Sequence, residues 1–117
     1  MFKLIKLGLI RSAHDVSNGG LIVALSEMAM GSEYGLKIDK PKKLQNLIEY
    51  FFGEDQGRYV IEIKSSNLDQ IIKILEDDKI YFENIGKTQK EFFEVEGELK
   101  LNINDLFKIN NTWYNKY

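Results

Sequence analysis

Apolar residues recur along this chain in two rhythms. Between Gly19 and Met30, the residues Leu21, Ile22, Leu25, Met28 and Ala29 fall three or four apart, which places them on one face of a helix. Gly31 follows as a stop signal. From Arg58 to Lys64 the pattern alternates instead, with Tyr59, Ile61 and Ile63 opposite Val60 and Glu62, the period of a strand. Around these two anchors the rest is read by its boundaries. Phe2 to Leu9 mixes both rhythms and is taken as a short helix halted near Gly8; Ile10 to Val16 predicts a strand ending in a polar turn. Tyr34 to Ile38 reads as a short strand, and Asp39-Lys40-Pro41 turns into a helix over Lys42 to Tyr50. Asn67 is placed to cap a third helix through Leu68, Ile71, Ile72 and Leu75. Ile80 to Ile85, Glu91 to Val95 and Leu99 to Ile103 predict strands, the last two joined by a hairpin around Gly97. A terminal helix from Asn104 would dock through Leu106, Phe107 and Trp113. Helices and strands alternate early and strands cluster late, so the expected fold is α+β or mixed α/β, in one domain.

Composition narrows the function classes. The 117 residues are 44% apolar and 29% charged, the balance of a soluble globular domain with a modest core. A formal charge of −2 argues against a general nucleic-acid binder. The basic residues are lysine apart from Arg11 and Arg58, and they are scattered among acids as a solvated surface would be. Aromatics such as Phe92 and Phe93 are interleaved with Glu91, Glu94 and Glu96, not with the cations a stacking platform for single strands requires. The chain has no cysteine, so disulfides, thiolate metal sites and cysteine nucleophiles are excluded. The apolar start, Met1 to Ile10, is broken by Lys6 and leads to no small-residue cleavage site, and no segment approaches a membrane span. The expectation is a cytoplasmic protein, with no nucleic-acid and no membrane partner.

Two polar clusters carry the candidate chemistry. The first, Ala13 to Leu21, packs His14, Asp15, Ser17 and Asn18 ahead of Gly19-Gly20 and a helix. A strand-turn-helix of this kind presents polar side chains and main-chain N–H groups to a ligand, and its glycines let that ligand come close. His14, the only histidine, could form an acid/base pair with Asp15 or merely hydrogen-bond its own turn. Ser17 and Asn18 could face an anion or substrate, or could cap the helix; the two roles are compatible. The second cluster, Phe52 to Val60, holds Glu54, Asp55 and Gln56 between Gly53 and Gly57, followed by Arg58. Its carboxylates and amide could reach a substrate from a shaped loop, or form an ordinary acidic turn. Arg58 could clamp a phosphate or pair with Glu54 or Asp15. No metal-ligand set stands out.

Together the clusters resemble the C-terminal domain of the aminoimidazole ribonucleotide synthetase superfamily, and within it the second such domain of phosphoribosylformylglycinamidine synthase. That family reads His-Asp-Val-Ser-Asp-Gly-Gly-Leu before an Ala-Leu-Ala-Glu-Met type helix, as Ala13 to Leu21 and Ala24 to Met28 do here. It then has Phe-Gly-Glu, a few polar residues and Arg-Tyr entering a strand, as Phe52 to Val60 does. Ile85-Gly86 and Trp113 also fall where the family has such residues.

The resemblance spans residues 10 to 114 of a single domain, 1–117. It implies a three-layer α/β/α domain around a mixed sheet with partly ferredoxin-like topology. It implies a part in a purine-biosynthetic ligase that converts formylglycinamide ribonucleotide to the amidine. There ATP, with Mg²⁺, activates the formyl amide oxygen, and ammonia from glutamine displaces phosphate. The implied partners are the enzyme's ATP-binding domains, the ATP-binding N-terminal half of the superfamily unit being expected to be absent from this chain, and a glutaminase subunit or domain supplying ammonia. The implied site is His14 as a catalytic group, with Asp15, Ser17, Asn18, Gly19, Gly20, Glu54, Asp55, Gln56 and Arg58 binding substrate or phosphate.

One position departs from the pattern: Asn18 stands where the family has Asp, and an amide holds a metal only weakly. An alternative follows, that the domain is a structural or regulatory module of the internally duplicated enzyme. A third reading is an interaction domain whose clusters are only caps and ion pairs. The chain alone is expected to be catalytically inactive and to self-associate through apolar surface that a partner domain would cover.

Overall fold

The computed structural model describes residues 1–32, 34–41 and 46–112. In chain order the elements are α1 (Phe2–Lys6), β1 (Ile10–Asp15), α2 (Gly20–Ser32), β2 (Gly35–Ile38), α3 (Leu47–Phe52) and β3 (Tyr59–Ile63). A 3₁₀ turn (Ser65–Asn67) leads into α4 (Leu68–Asp77), followed by β4 (Gly86–Gln89), β5 (Phe92–Val95), β6 (Leu99–Asn102) and α5 (Ile103–Thr112).

The strands form two groups. β1 and β3 make an antiparallel ribbon in which His14 lies opposite Val60 and Asp15 opposite Tyr59. The other four form the expected mixed sheet in the order β4-β2-β5-β6, with β2 antiparallel to β4 but parallel to β5. β5 and β6 form the hairpin expected around Gly97, Phe92 opposite Asn102 and Val95 opposite Leu99.

Helix α2 lies between ribbon and sheet and explains the main core. Its Leu21, Ala24, Leu25 and Ala29 are buried with Val16, Ile38, Phe51, Phe93, Val95 and Ile103. Phe93 and Ile38 are the most completely enclosed large side chains, each contributing about 1.5–3 kcal/mol of burial. The opposite face of the ribbon packs Ile10, Ile61 and Ile63 onto Leu4, Leu9, Ile71, Ile74 and Leu75 of the α1 and α4 region. The ribbon is thus held between α2 on one side and α1 with α4 on the other. No helix among the described residues is long and apolar enough to cross a membrane.

Several boundaries differ from the sequence pattern, each for a local reason. Helix α2 runs through Gly31 to Ser32, whose hydroxyl donates to the Ala29 carbonyl. Helix α3 begins only at Leu47, because the Asn46 side chain accepts from the N–H groups of Ile48 and Glu49 and fixes the start there; residues 42–45 lie outside the described residues. Asn67 precedes α4 but does not cap it, since its amide donates instead to the Leu9 carbonyl at 3.1 Å. Residues 80–85 form no strand. Lys79 adopts a left-handed conformation, the Ile80 N–H turns back to the Leu75 carbonyl, and pairing with β2 begins at Gly86. The terminal helix is present from Ile103, with Leu106 against the core and Phe107 largely exposed, while Trp113 lies outside the described residues.

Candidate functional site

Antiparallel pairing of β1 with β3 puts the end of one strand beside the start of the other, and with them the two polar clusters. The pairing continues past the strands: Val16 N–H donates to the Arg58 carbonyl at 2.9 Å. Beyond Val16 the chain turns sharply, Gly20 N–H donating to the Ser17 carbonyl at 3.0 Å. Gly19 and Gly20 carry φ of +82° and +73°, a region that costs residues with a Cβ about 1–2 kcal/mol each. At Gly20 space is limiting as well, since an added Cβ would lie 2.6 Å from the Phe52 carbonyl carbon. The start of α2 therefore backs directly onto the end of α3, where Gly53 N–H closes the helix on the Glu49 carbonyl.

From that junction the second cluster folds back over the first. The Glu54 carboxylate accepts from Gly19 N–H at 2.8 Å. Arg58 donates to Asp55 at 3.2 Å, which settles its partner as Asp55 and not Glu54 or Asp15. Among the described residues, the side chains of Ser17 and Asn18 form no bond to the α2 N–H groups; the acceptor at that helix start is Glu54, from 35 residues away.

A cleft of about 360 Å³ opens between the two turns. Of the sequence candidates, Asp15, Ser17, Asn18, Glu54, Gln56 and Arg58 line it. Gly19 and Gly20 shape the turn behind it, and Asp55 acts on it through Arg58. Val16, Gly57 and Tyr59 line it too, beyond the residues that the sequence offers as binding groups. In the sequence Tyr59 marks the start of a strand and the Arg-Tyr pattern, and the start of a strand beside a polar loop is where an exposed aromatic ring can reach a ligand.

His14 sits on the ribbon, outside the cleft lining. Its Nδ1–H donates to the Asp15 main-chain carbonyl at 2.6 Å, and its Nε2 lies 2.8 Å from the Glu27 carboxylate on α2. The Asp15 carboxylate is more distant, at 3.8 Å from Nδ1. Glu27 was not singled out in the sequence because it lies one strand-turn-helix away, within a helix otherwise read as core.

Chemically the cleft combines two carboxylates, two hydroxyls, two amides and one guanidinium already paired to Asp55. That set suits hydrogen bonding to a ligand rich in hydroxyl, amide or amine groups better than it suits an unaccompanied polyphosphate. Among the described residues, no three His, Cys, Asp or Glu side chains converge so as to hold a metal ion.

Comparison with known proteins gives a consistent picture. The family profile described as "AIR synthase related protein, C-terminal domain" matches residues 1–97. The phosphoribosylformylglycinamidine synthase subunit PurL of Pelagibacter ubique is 40% identical over 117 residues, covering 100% of this chain and 16% of that protein. The chain thus spans a small part of the length of such relatives. Two solved structures of Thermotoga maritima PurL, one complexed with FGAR and one with ATP, each match with a TM-score of 0.77 over 90% of this chain. They are 17% and 16% identical to it, with 19% and 20% of their own chains covered, so the likeness is one of fold.

Proposed function

The chain belongs to the family of AIR synthase related proteins as their C-terminal domain, and from that membership we propose that it serves as the C-terminal domain of a phosphoribosylformylglycinamidine synthase. In this reading it contributes to the ATP- and glutamine-dependent conversion of formylglycinamide ribonucleotide to the amidine in purine biosynthesis. The observation that carries the proposal is the meeting of the two polar clusters, 35 residues apart, on one cleft through the Gly19–Glu54 hydrogen bond. The identity of 40% to a PurL subunit along the whole chain supports the same assignment, as do PurL structures of this fold with FGAR and ATP.

The roles follow from position. Asp15, Ser17, Asn18, Glu54 and Gln56 offer acceptors and donors for the substrate's amide and hydroxyl groups. Arg58, steered by Asp55, offers the one cation, suited to a phosphate oxygen. Gly19 and Gly20 hold the turn, and His14 braces it from the ribbon. ATP is a substrate of the whole synthase. Its Mg²⁺ is not assigned to this chain, whose described residues bring no three ligating side chains together. The remaining nucleotide contacts would come from ATP-binding domains of the same enzyme, and ammonia from a glutaminase subunit or domain.

A second reading has an observation in its favour. Glu54 already occupies a main-chain donor of the turn, and Asn18 replaces the acid of the family pattern. Both fit a domain whose site has become a fixed assembly element without a catalytic role.

A thermal-shift titration of the chain with formylglycinamide ribonucleotide, Mg-ATP, Mg-ADP and phosphate separates the two. A saturable rise in melting temperature with the ribonucleotide supports a ligand site on this domain, since a ligand that binds only the folded state must stabilise it. A flat response to all four, with the full synthase still binding the ribonucleotide, supports the assembly reading.

A further inference from the structure

Every residue of α2 from Leu21 to Met30 is buried or half-buried except Glu27. Glu27 is also the only charged residue on that helix. The Glu27 carboxylate is half-exposed, and on its protein side stands the only histidine of the chain, Nε2 of His14 at 2.8 Å. The other side of the same ring donates to the main-chain carbonyl of Asp15 at 2.6 Å. Asp15 is the last residue of β1, the point at which the chain leaves the ribbon to form the turn at residues 16–20. The charged groups facing His14 are the Glu27 and Asp15 carboxylates, and Val60, opposite it on β3, is apolar.

We propose that Glu27 is a positioning residue: through the His14 imidazole it fixes the Asp15 main chain, and so sets where the Asp15 side chain and the following turn stand in the cleft. Rotation of an imidazole held at one nitrogen only would release the Asp15 carbonyl; Glu27 supplies the second hold. A carboxylate orienting a histidine that in turn orients a third group is an arrangement whose precision depends on every link. Glu27 itself stands outside the cleft lining, so its effect there is transmitted, not direct. The consequence for ligand binding rests on the function proposed above; the mechanical coupling does not.

The test is amide hydrogen exchange on the 117-residue chain and its Glu27→Ala and Glu27→Gln variants. The reporters are the Val16 and Gly20 N–H groups, which bond to the Arg58 and Ser17 carbonyls, with α4 and β5 amides as controls. Glu27→Ala is expected to speed exchange at Val16 and Gly20 by about tenfold while the controls stay unchanged. Glu27→Gln, whose side-chain amide can pair with Nε2 as donor or acceptor, is expected to restore most of the protection.

A uniform rise across all elements would mean a merely structural role and would overturn the proposal, as would no rise at all. Should Glu27→Ala not fold, the comparison is made on His14→Gln, with the same local pattern expected. A parallel titration with formylglycinamide ribonucleotide keeps the two ideas apart. Loss of local protection together with no ligand response in the parent chain would retain the coupling and remove the function.

Discussion

The main-chain N–H of Gly19 donates to the carboxylate of Glu54 across 2.8 Å, joining the turn that starts α2 to the loop that starts β3. In most helices the acceptor at this end comes from a residue just before the helix. Here it comes from the far side of a ribbon, so one hydrogen bond both caps a helix and fixes the width of the cleft. Replacing Glu54 by Ala removes it. The expected cost is about 1 kcal/mol, the usual size for a solvent-accessible bond of this kind, read as a lower denaturant midpoint with unchanged slope. An unchanged midpoint would show that the two clusters are only neighbours.

Gly20 faces a harder constraint. An alanine there meets both a positive φ of +73° and a Cβ position 2.6–2.8 Å from the main chain of Phe51 and Phe52. Main-chain atoms cannot step aside as a flexible side chain would, so α2 and α3 must separate. The Gly20→Ala variant is expected to lose about 2–4 kcal/mol, most simply measured by thermal unfolding. Gly31 serves as the control, because nothing lies within 4 Å of its added Cβ and its φ is not positive.

Tyr50 on α3 titrates late. Burial raises its phenol first, and the nearby Glu83 carboxylate, which accepts its hydroxyl hydrogen bond at 3.1 Å, raises it further, to about 12 from a usual 10.0. The folded state therefore favours the neutral phenol. Its contribution to stability is complete below pH 10 and is lost as pH rises from 10 through about 12. Tyr81, which also donates to Glu83, shifts in the same direction. Thermal melts across that alkaline range should show a steeper fall for the parent than for Glu83→Gln; parallel curves would rule the pairing out.

Apolar side chains remain uncovered on the surface. Ile48 and Phe52 of α3 are 70% and 57% exposed and flank a hollow of about 210 Å³ lined by Ile22, Phe51 and Leu99 among others. Phe2 of α1 is 78% exposed. Surfaces of this kind usually mark contacts with other protein. Light scattering over a concentration series should show reversible self-association of the chain, weakened in an Ile48→Glu, Phe52→Glu double variant. A strict monomer at millimolar concentration would count against it.

The parts of this fold that could be read from sequence are those where burial and periodicity agree. α2 places Leu21, Ala24, Leu25 and Ala29 in the main core at helical spacing, and β3 turns Val60 to that core and Ile61 and Ile63 to the second cluster, so helical spacing and alternation showed both. Residues 80–85 are strand-like in composition but not in setting: Tyr81 is almost wholly exposed, and among the described residues no strand pairs with this stretch. The real strand, Gly86–Gln89, carries no apolar alternation because it is an edge strand paired only with β2. Asn67 is of a residue type that caps helices, but tertiary contact with the Leu9 carbonyl takes its amide instead.

For the site, the two clusters were visible as motifs, and the ribbon register explains why they meet. The partners were not visible. Neither Glu27 for His14 nor Glu54 for Gly19 follows from spacing, because each link crosses between elements whose placement depends on the whole fold.

The measurement that bears most directly on the central claim is an amidation assay on a chimera, with this chain replacing the matching segment of the Pelagibacter ubique PurL subunit. With ATP, formylglycinamide ribonucleotide and ammonia supplied, the chimera is expected to form the amidine, an Arg58→Ala version to form far less, and the isolated chain none. A folded, assembled chimera that makes no amidine, or an isolated chain that does, would contradict the account.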